Sequence, residues 1–132
     1  MRYGYWMPVF GGWLRNVEDE NMQASWDYVS RLARRSEELG YDITLVAELL
    51  LNDIKGINAP SLDAWSTAAA LVAVTQTLEV MVAVRPSFHP PIACEAGRDD
   101  RSDLEWPSLA QRGLCVVEGR GAALRRRIRR AR

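Results

Sequence analysis

The stretch SLDAWSTAAALVAVTQTLEVMVAVRPSFHPP, residues 61–91, decides the fold. Residues 62–74 are alanine-rich and apolar on several sides, as expected of a helix packed on a sheet. Ser61 is placed to cap that helix, with Asp63 in its first turn. Gln76 and Thr77 interrupt the pattern, and residues 79–84 (EVMVAV) then read as a strand that Arg85-Pro86 ends. A short apolar strand directly behind a helix is one half of a β/α repeat.

The same unit recurs upstream. Residues 43–47 (ITLVA) form a strand without polar alternation, the signature of a parallel strand covered on both faces. A loop rich in Asn, Gly and Pro, residues 52–60, separates it from the helix at 62–74. Before it, Glu18, Asp19 and Glu20 open a helical segment, where negative charge suits an N-terminus. Met22, Trp26, Val29, Leu32, Ala33 and Leu39 recur there at three- and four-residue spacings, and Gly40 closes the helix. Residues 3–10 (YGYWMPVF) read as a first buried strand, followed by Gly11-Gly12.

The order is strand, helix, strand, helix, strand, with strands roughly 35–40 residues apart, which calls for parallel strands and right-handed crossovers. A doubly wound sheet and a (β/α)8 barrel both satisfy it. Coverage on both faces predicts Leu45, Val82 and Val84 among the most buried residues. No GxGxxG and no Walker loop follows any of the strands, so a dinucleotide or P-loop domain loses its best support.

At 132 residues the chain holds one domain at most. Its formal charge of zero conceals two unlike parts. Residues 1–94 carry seven basic and eleven acidic side chains, whereas residues 95–132 carry ten and six. The two cysteines, Cys94 and Cys115, have neither CxxC spacing nor a nearby histidine cluster, which points to reduced thiols and no metal site. The opening MRYGYWMPVF lacks the pattern of a signal peptide, and the longest apolar run is broken by Gln76, Thr77 and Glu79. The body reads as a soluble, cytoplasmic domain without a membrane span.

In a barrel, chemistry sits at the C-terminal ends of the strands. Those ends carry Trp6 and Pro8, then Glu48, then Arg85 and His89. Each has a plain alternative. Trp6 serves equally as core, Glu48 as a solvated loop acid, and His89 as a cap for a following helix. Arg85 is harder to set aside, because a guanidinium buried behind an apolar strand requires an anionic or carbonyl partner. These residues describe an anion-tolerant, aromatic-lined pocket, without specifying a reaction.

Taken in order, RYGYWMPVFGGW, SEELGYD, TLVAELLL and the 61–91 stretch resemble the start of a bacterial luciferase-like flavin monooxygenase. The alkanesulfonate and dimethyl sulfone branch is the nearest in appearance, with VAVRPS the most specific segment. The resemblance spans about residues 3–91 and implies the first three β/α units of a (β/α)8 TIM barrel. It further implies reduced FMN supplied by a separate NAD(P)H-dependent reductase, and oxygen forming a peroxyflavin that attacks a small organosulfur substrate. Full-length members are expected to be homo-oligomers. By position, Trp6, Glu48, Leu49, Ala83 and Arg85 would wall the flavin or the substrate.

The chain thus divides into a family part, residues 1–91, and a tail, residues 92–132. The tail departs from the family pattern, which would continue with a helix containing AKQAATIDRISNGR and a strand LNVVS. Codons exist for residues 95–121 that, read one base later, give KQAATIDRISNGRLSLNVVSAWWKDEA, so the tail reads as frameshifted and disordered. A barrel fragment of this kind is expected to be inactive. Two other readings compete: a small nucleic-acid-binding protein whose arm GRGAALRRRIRRAR grips phosphates, and a structural subunit that pairs with another chain.

Overall fold

The structure is a computed structural model, and it describes residues 1–85 together with the backbone of residues 114–117. Six elements follow one another: β1 (Gly4–Trp6), α1 (Trp26–Glu38), β2 (Ile43–Ala47), α2 (Ala64–Val74), β3 (Glu79–Ala83) and β4 (Leu114–Val117). They form one four-stranded sheet in the order β1-β2-β3-β4. The first three strands are parallel, with Trp6 opposite Leu45 and Leu45 opposite Met81. This α/β architecture, with three parallel strands joined through two helices, is that of the N-terminal part of a (β/α)8 barrel.

Strand alternation gives the sheet two unlike faces. Thr44, Val46, Val80 and Val82 point to one side and are fully buried. There they share a core with Val29 and Ala33 of α1 and with Ala64, Ala68 and Leu71 of α2. The opposite face carries Trp6, Leu45 and Met81 in one cross-strand row. Trp6 is 55% exposed, and Leu45 and Met81 are only half-buried. The expected burial of Val82 and Val84 is met, at 0% and 7% exposure, but that of Leu45 is not. β2 and β3 lie where the sequence placed them, but β1 is only Gly4–Trp6, exposed at both ends, and not a buried strand over residues 3–10. Among the described residues helices lie on one face of the sheet, and Leu45 belongs to the other.

The helices begin later than their sequence suggests. α1 starts at Trp26 because Ser25, in extended conformation, accepts the Tyr28 N–H at its hydroxyl. Glu18, Asp19 and Glu20 therefore lie in the preceding loop, outside the helix they were expected to open. α2 is capped by Asp63, whose carboxylate accepts the Ser66 N–H at 2.7 Å, and not by Ser61. A carboxylate at this position also meets the positive end of the helix dipole. Gly40 closes α1 as expected, with φ +87° and its N–H on the Glu37 carbonyl.

β4 lies inside the tail that was expected to be disordered. It pairs antiparallel with β3, Val82 opposite Cys115, and so occupies the edge where a barrel would place a parallel fourth strand. His89 and the remainder of the tail, including Cys94 and the arginine-rich arm, lie outside the described residues.

Two carboxylates secure the opposite, N-terminal ends of the strands. Glu37, in the last turn of α1, accepts the backbone N–H groups of Gln76, Thr77 and Leu78 and the Thr77 hydroxyl, just before β3. Burial works against its charged form, yet the Thr77 N–H and hydroxyl, with the Leu78 and Gln76 N–H groups, outweigh burial and hold its carboxyl below the ordinary value. Glu79, at the start of β3, pairs with Arg2 at 2.6 Å.

Candidate functional site

Parallel strands in register bring like ends together, so the residues that follow β1, β2 and β3 gather on one side of the sheet. Backbone bonds continue past the strands. Met7 N–H donates to the Leu45 carbonyl at 2.8 Å, and Glu48 N–H to the Ala83 carbonyl at 2.8 Å.

The five residues expected to wall a site are spread over this end in different ways. Trp6 ends β1 on the face that no helix among the described residues covers, and its ring meets Trp13 edge-on at a centroid distance of 5.2 Å. Ala83 ends β3 on that same face, opposite Ala47 and half-buried. Glu48 follows β2, and its Oε2 accepts the Arg85 backbone N–H at 2.9 Å, tying the ends of two strands together. Arg85 is exposed, so the expectation of a buried guanidinium in need of a partner does not hold. Its backbone, not its guanidinium, makes the bond to Glu48. Leu49 is half-buried and packs against the core cluster.

Three residues that the sequence reading passed over complete the end of the sheet. Trp13 stands between Trp6 and Phe10, touching each edge-on at 5.2 and 5.3 Å, so the three rings form one aromatic wall. Phe10 anchors the wall in the core at 2% exposure. Asn52, 1% exposed, donates through Nδ2 to the carbonyls of Phe10 and Pro60 and accepts the Lys55 N–H at Oδ1. A fully buried amide with three satisfied bonds holds the loop after β1 against the loop after β2. A clue existed in the sequence: an asparagine at the head of a Gly- and Pro-containing loop bonds readily to nearby backbone.

The face carrying Trp6, Leu45, Ala47, Met81 and Ala83 is apolar and continuous across three strands. At its C-terminal edge stand the aromatic wall, beside β1, and the Glu48–Arg85 bond, beyond β2 and β3. Among the described residues no cluster of three or more His, Cys, Asp or Glu side chains is placed to hold a metal ion. No helix among them is long and apolar enough to cross a membrane.

The sequence model of the luciferase-like monooxygenase family matches residues 1–95. That span contains all three parallel strands, both helices and every residue of the strand-end cluster just described. It ends where the composition of the chain turns arginine-rich. Monooxygenases of this family use a reduced flavin, FMN or F420. With most of its length matched, and with the fold that the match requires, the chain belongs to the luciferase-like monooxygenase family.

Proposed function

We propose that this sequence derives from a reduced-FMN-dependent monooxygenase of small organosulfur compounds, an alkanesulfonate or a sulfone. The family match over residues 1–95 carries this reading. The site supports it in kind: the open apolar face with Trp6, Leu45, Met81 and Ala83 would receive the isoalloxazine ring, and the Trp6–Trp13–Phe10 wall would border it. When bound in its reduced form, the flavin supplies the activation of oxygen.

The protein's own part is binding and exclusion of water. Apolar side chains on the sheet would border the bound ring and limit the access of water to it. Glu48 holds the end of β3 through the Arg85 N–H, so the Arg85 guanidinium projects from a fixed point beside this face. An exposed guanidinium there is available to a flavin phosphate or to an anionic substrate. NADH or NADPH enters through a separate reductase, and the cytoplasm is the compartment that supplies both.

The chain as it stands is proposed to be inactive. Closing a barrel needs all eight strands, and here β4 blocks the growing edge of β3 in the wrong direction. Later strands, whose loops commonly bind the cofactor phosphate in such barrels, have no place to add. The tail is proposed to arise from a frameshift near residues 92–95, a position supported by the end of the family match at residue 95.

The test has two arms. The chain is mixed with FMN, a flavin reductase, NADH and a panel of sulfonates and sulfones, and sulfite and aldehyde are measured. Release above a no-protein control would contradict the inactivity. In the second arm the gene is sequenced across the codons for His89 to Arg98, the frame is restored, and the longer chain is assayed. Absence of reduced-flavin binding in that chain would overturn the function proposed.

A further inference from the structure

Three side chains tie the loop after β1 to the loop after β2: Asn52, Arg15 through Asp53, and Lys55, whose ammonium lies nearest the backbone of Trp13. Lys55, on the loop after β2, reaches across to the loop after β1 and spends all three of its protons there. Its Nζ donates to the Leu14 carbonyl at 3.0 Å, to the Val17 carbonyl at 2.5 Å and to Glu20 Oε2 at 2.5 Å. The same Glu20 oxygen accepts the Trp13 N–H at 2.7 Å and the Leu14 N–H at 3.0 Å. Both side chains are about nine-tenths buried, at 9% and 10% exposure. The Lys55 hydrogen bond, followed by the Leu14 N–H, holds the Glu20 carboxyl below its ordinary value.

This arrangement is more than an ion pair. The ammonium faces carbonyl oxygens and the carboxylate faces N–H groups, so each charge sits among backbone dipoles of the opposite sign. Gly12 makes room for it. Its φ of +134° is open to glycine alone, and a Cβ there would overlap the Glu20 carboxylate. The backbone so fixed runs directly into Trp13, the ring that holds Trp6 edge-on at the mouth of the open face.

We infer that Lys55 is a positioning residue. With Glu20 it latches the loop after β1 onto the loop after β2, and so sets Trp13 and Trp6 in the orientation that walls the site. The inference rests on the proposed function only in taking that face as the flavin and substrate wall. The latch itself is a property of the chain without ligand and is tested there.

The experiment is 19F NMR of the whole chain labelled with 5-fluorotryptophan, with resonances assigned through single Trp→Phe variants. In Lys55→Met the Trp6 and Trp13 signals should move to the position of free fluorotryptophan, while Trp65, on α2, keeps its shift. Lys55→Cys should behave in the same way. Aminoethylation of that cysteine with bromoethylamine, which rebuilds an ammonium of nearly lysine length, should restore both signals; alkylated wild type is the control. The exchanged pair Glu20→Lys with Lys55→Glu should not restore them, because both charges would then face backbone dipoles of their own sign.

Unchanged Trp6 and Trp13 signals in Lys55→Met would overturn the inference. So would restoration by the exchanged pair, which would reduce the latch to simple charge attraction. Collapse of the Trp65 signal along with the others would also overturn it, since Lys55 would then hold the fold and not the wall. Binding of FMN by the frame-restored wild-type chain is measured separately, by flavin fluorescence. Its failure beside an intact latch signature would count against the proposed function alone.

Discussion

Removing the Glu37 carboxylate should loosen the junction between α1 and β3 by an amount that depends on pH in a defined direction. In Glu37→Ala, the N–H groups of Gln76, Thr77 and Leu78 lose their shared acceptor. The Gln76 bond is exposed and water replaces it at little cost. Leu78 is fully buried, so its N–H is left without a partner. An unsatisfied buried N–H costs about 1–3 kcal/mol, and we take about 2 kcal/mol as the expected loss. For a domain of this size, 1 kcal/mol moves Tm by roughly 4–8 °C, so the variant should melt about 8–16 °C lower at pH 7. Glu37→Gln keeps an acceptor oxygen but no charge, and should lose about half as much.

The folded-state value of Glu37 is depressed, so the folded protein binds fewer protons than the unfolded chain in the acid range. The stabilisation is therefore fully present above the ordinary value of 4.5 and is lost as pH falls through the depressed value. Thermal melts followed by circular dichroism at 222 nm, from pH 7 to pH 3, read the difference between wild type and Glu37→Gln. Glu20 titrates in both proteins and cancels in that difference. A gap that stays constant over the whole range, or no gap at pH 7, would refute the reasoning.

Other perturbations probe the two faces and the strand ends. Leu71→Ala, at 0% exposure on the helix side, should cost about 2–5 kcal/mol in denaturant titration. Leu45→Ala, half-buried on the open face, should cost only about 1 kcal/mol, and equal losses would contradict the one-sided core. Burial raises the Tyr5 phenol above its ordinary value of 10.0, and the nearby Ser36 and Thr44 hydroxyls lower it by less. The unfolded chain therefore releases this proton first, and stability should begin to fall as pH rises past 10.0, an alkaline slope that Tyr5→Phe removes. In the frame-restored enzyme, Arg85→Ala should reduce kcat/KM by about tenfold or more while shifting Tm by less than a few degrees. Turnover that survives intact would make Arg85 structural.

The sequence alone was sufficient for the order of the first five elements and for the direction of the three family strands, though not for β4. Apolar runs such as ITLVA and EVMVAV, set a helix apart, leave few alternatives to parallel pairing, because local pattern and chain connectivity both bear on it. The arginine-rich composition beyond residue 95 is likewise visible in the sequence, since composition is a property of the chain before it folds. Which face each strand buries was decided only in three dimensions. Leu45 and Val46 look alike in the sequence, yet Val46 is fully buried beneath the helices and Leu45 is not. One step along a strand turns a side chain to the other face, and coverage of that face depends on elements distant in sequence.

The strand ends show the same division. Trp6, Glu48 and Arg85 stood out from their position after apolar runs, but their roles there could not be read. Arg85 proved to be exposed, and it is the backbone of this residue that Glu48 holds. The latch of Glu20 and Lys55 was illegible for a simpler reason. Glu20 looked like a helix-opening acid and Lys55 like a loop cation, 35 residues apart in the chain. Only folding brings the ammonium, the carboxylate and the carbonyls of residues 14 and 17 within hydrogen-bonding distance.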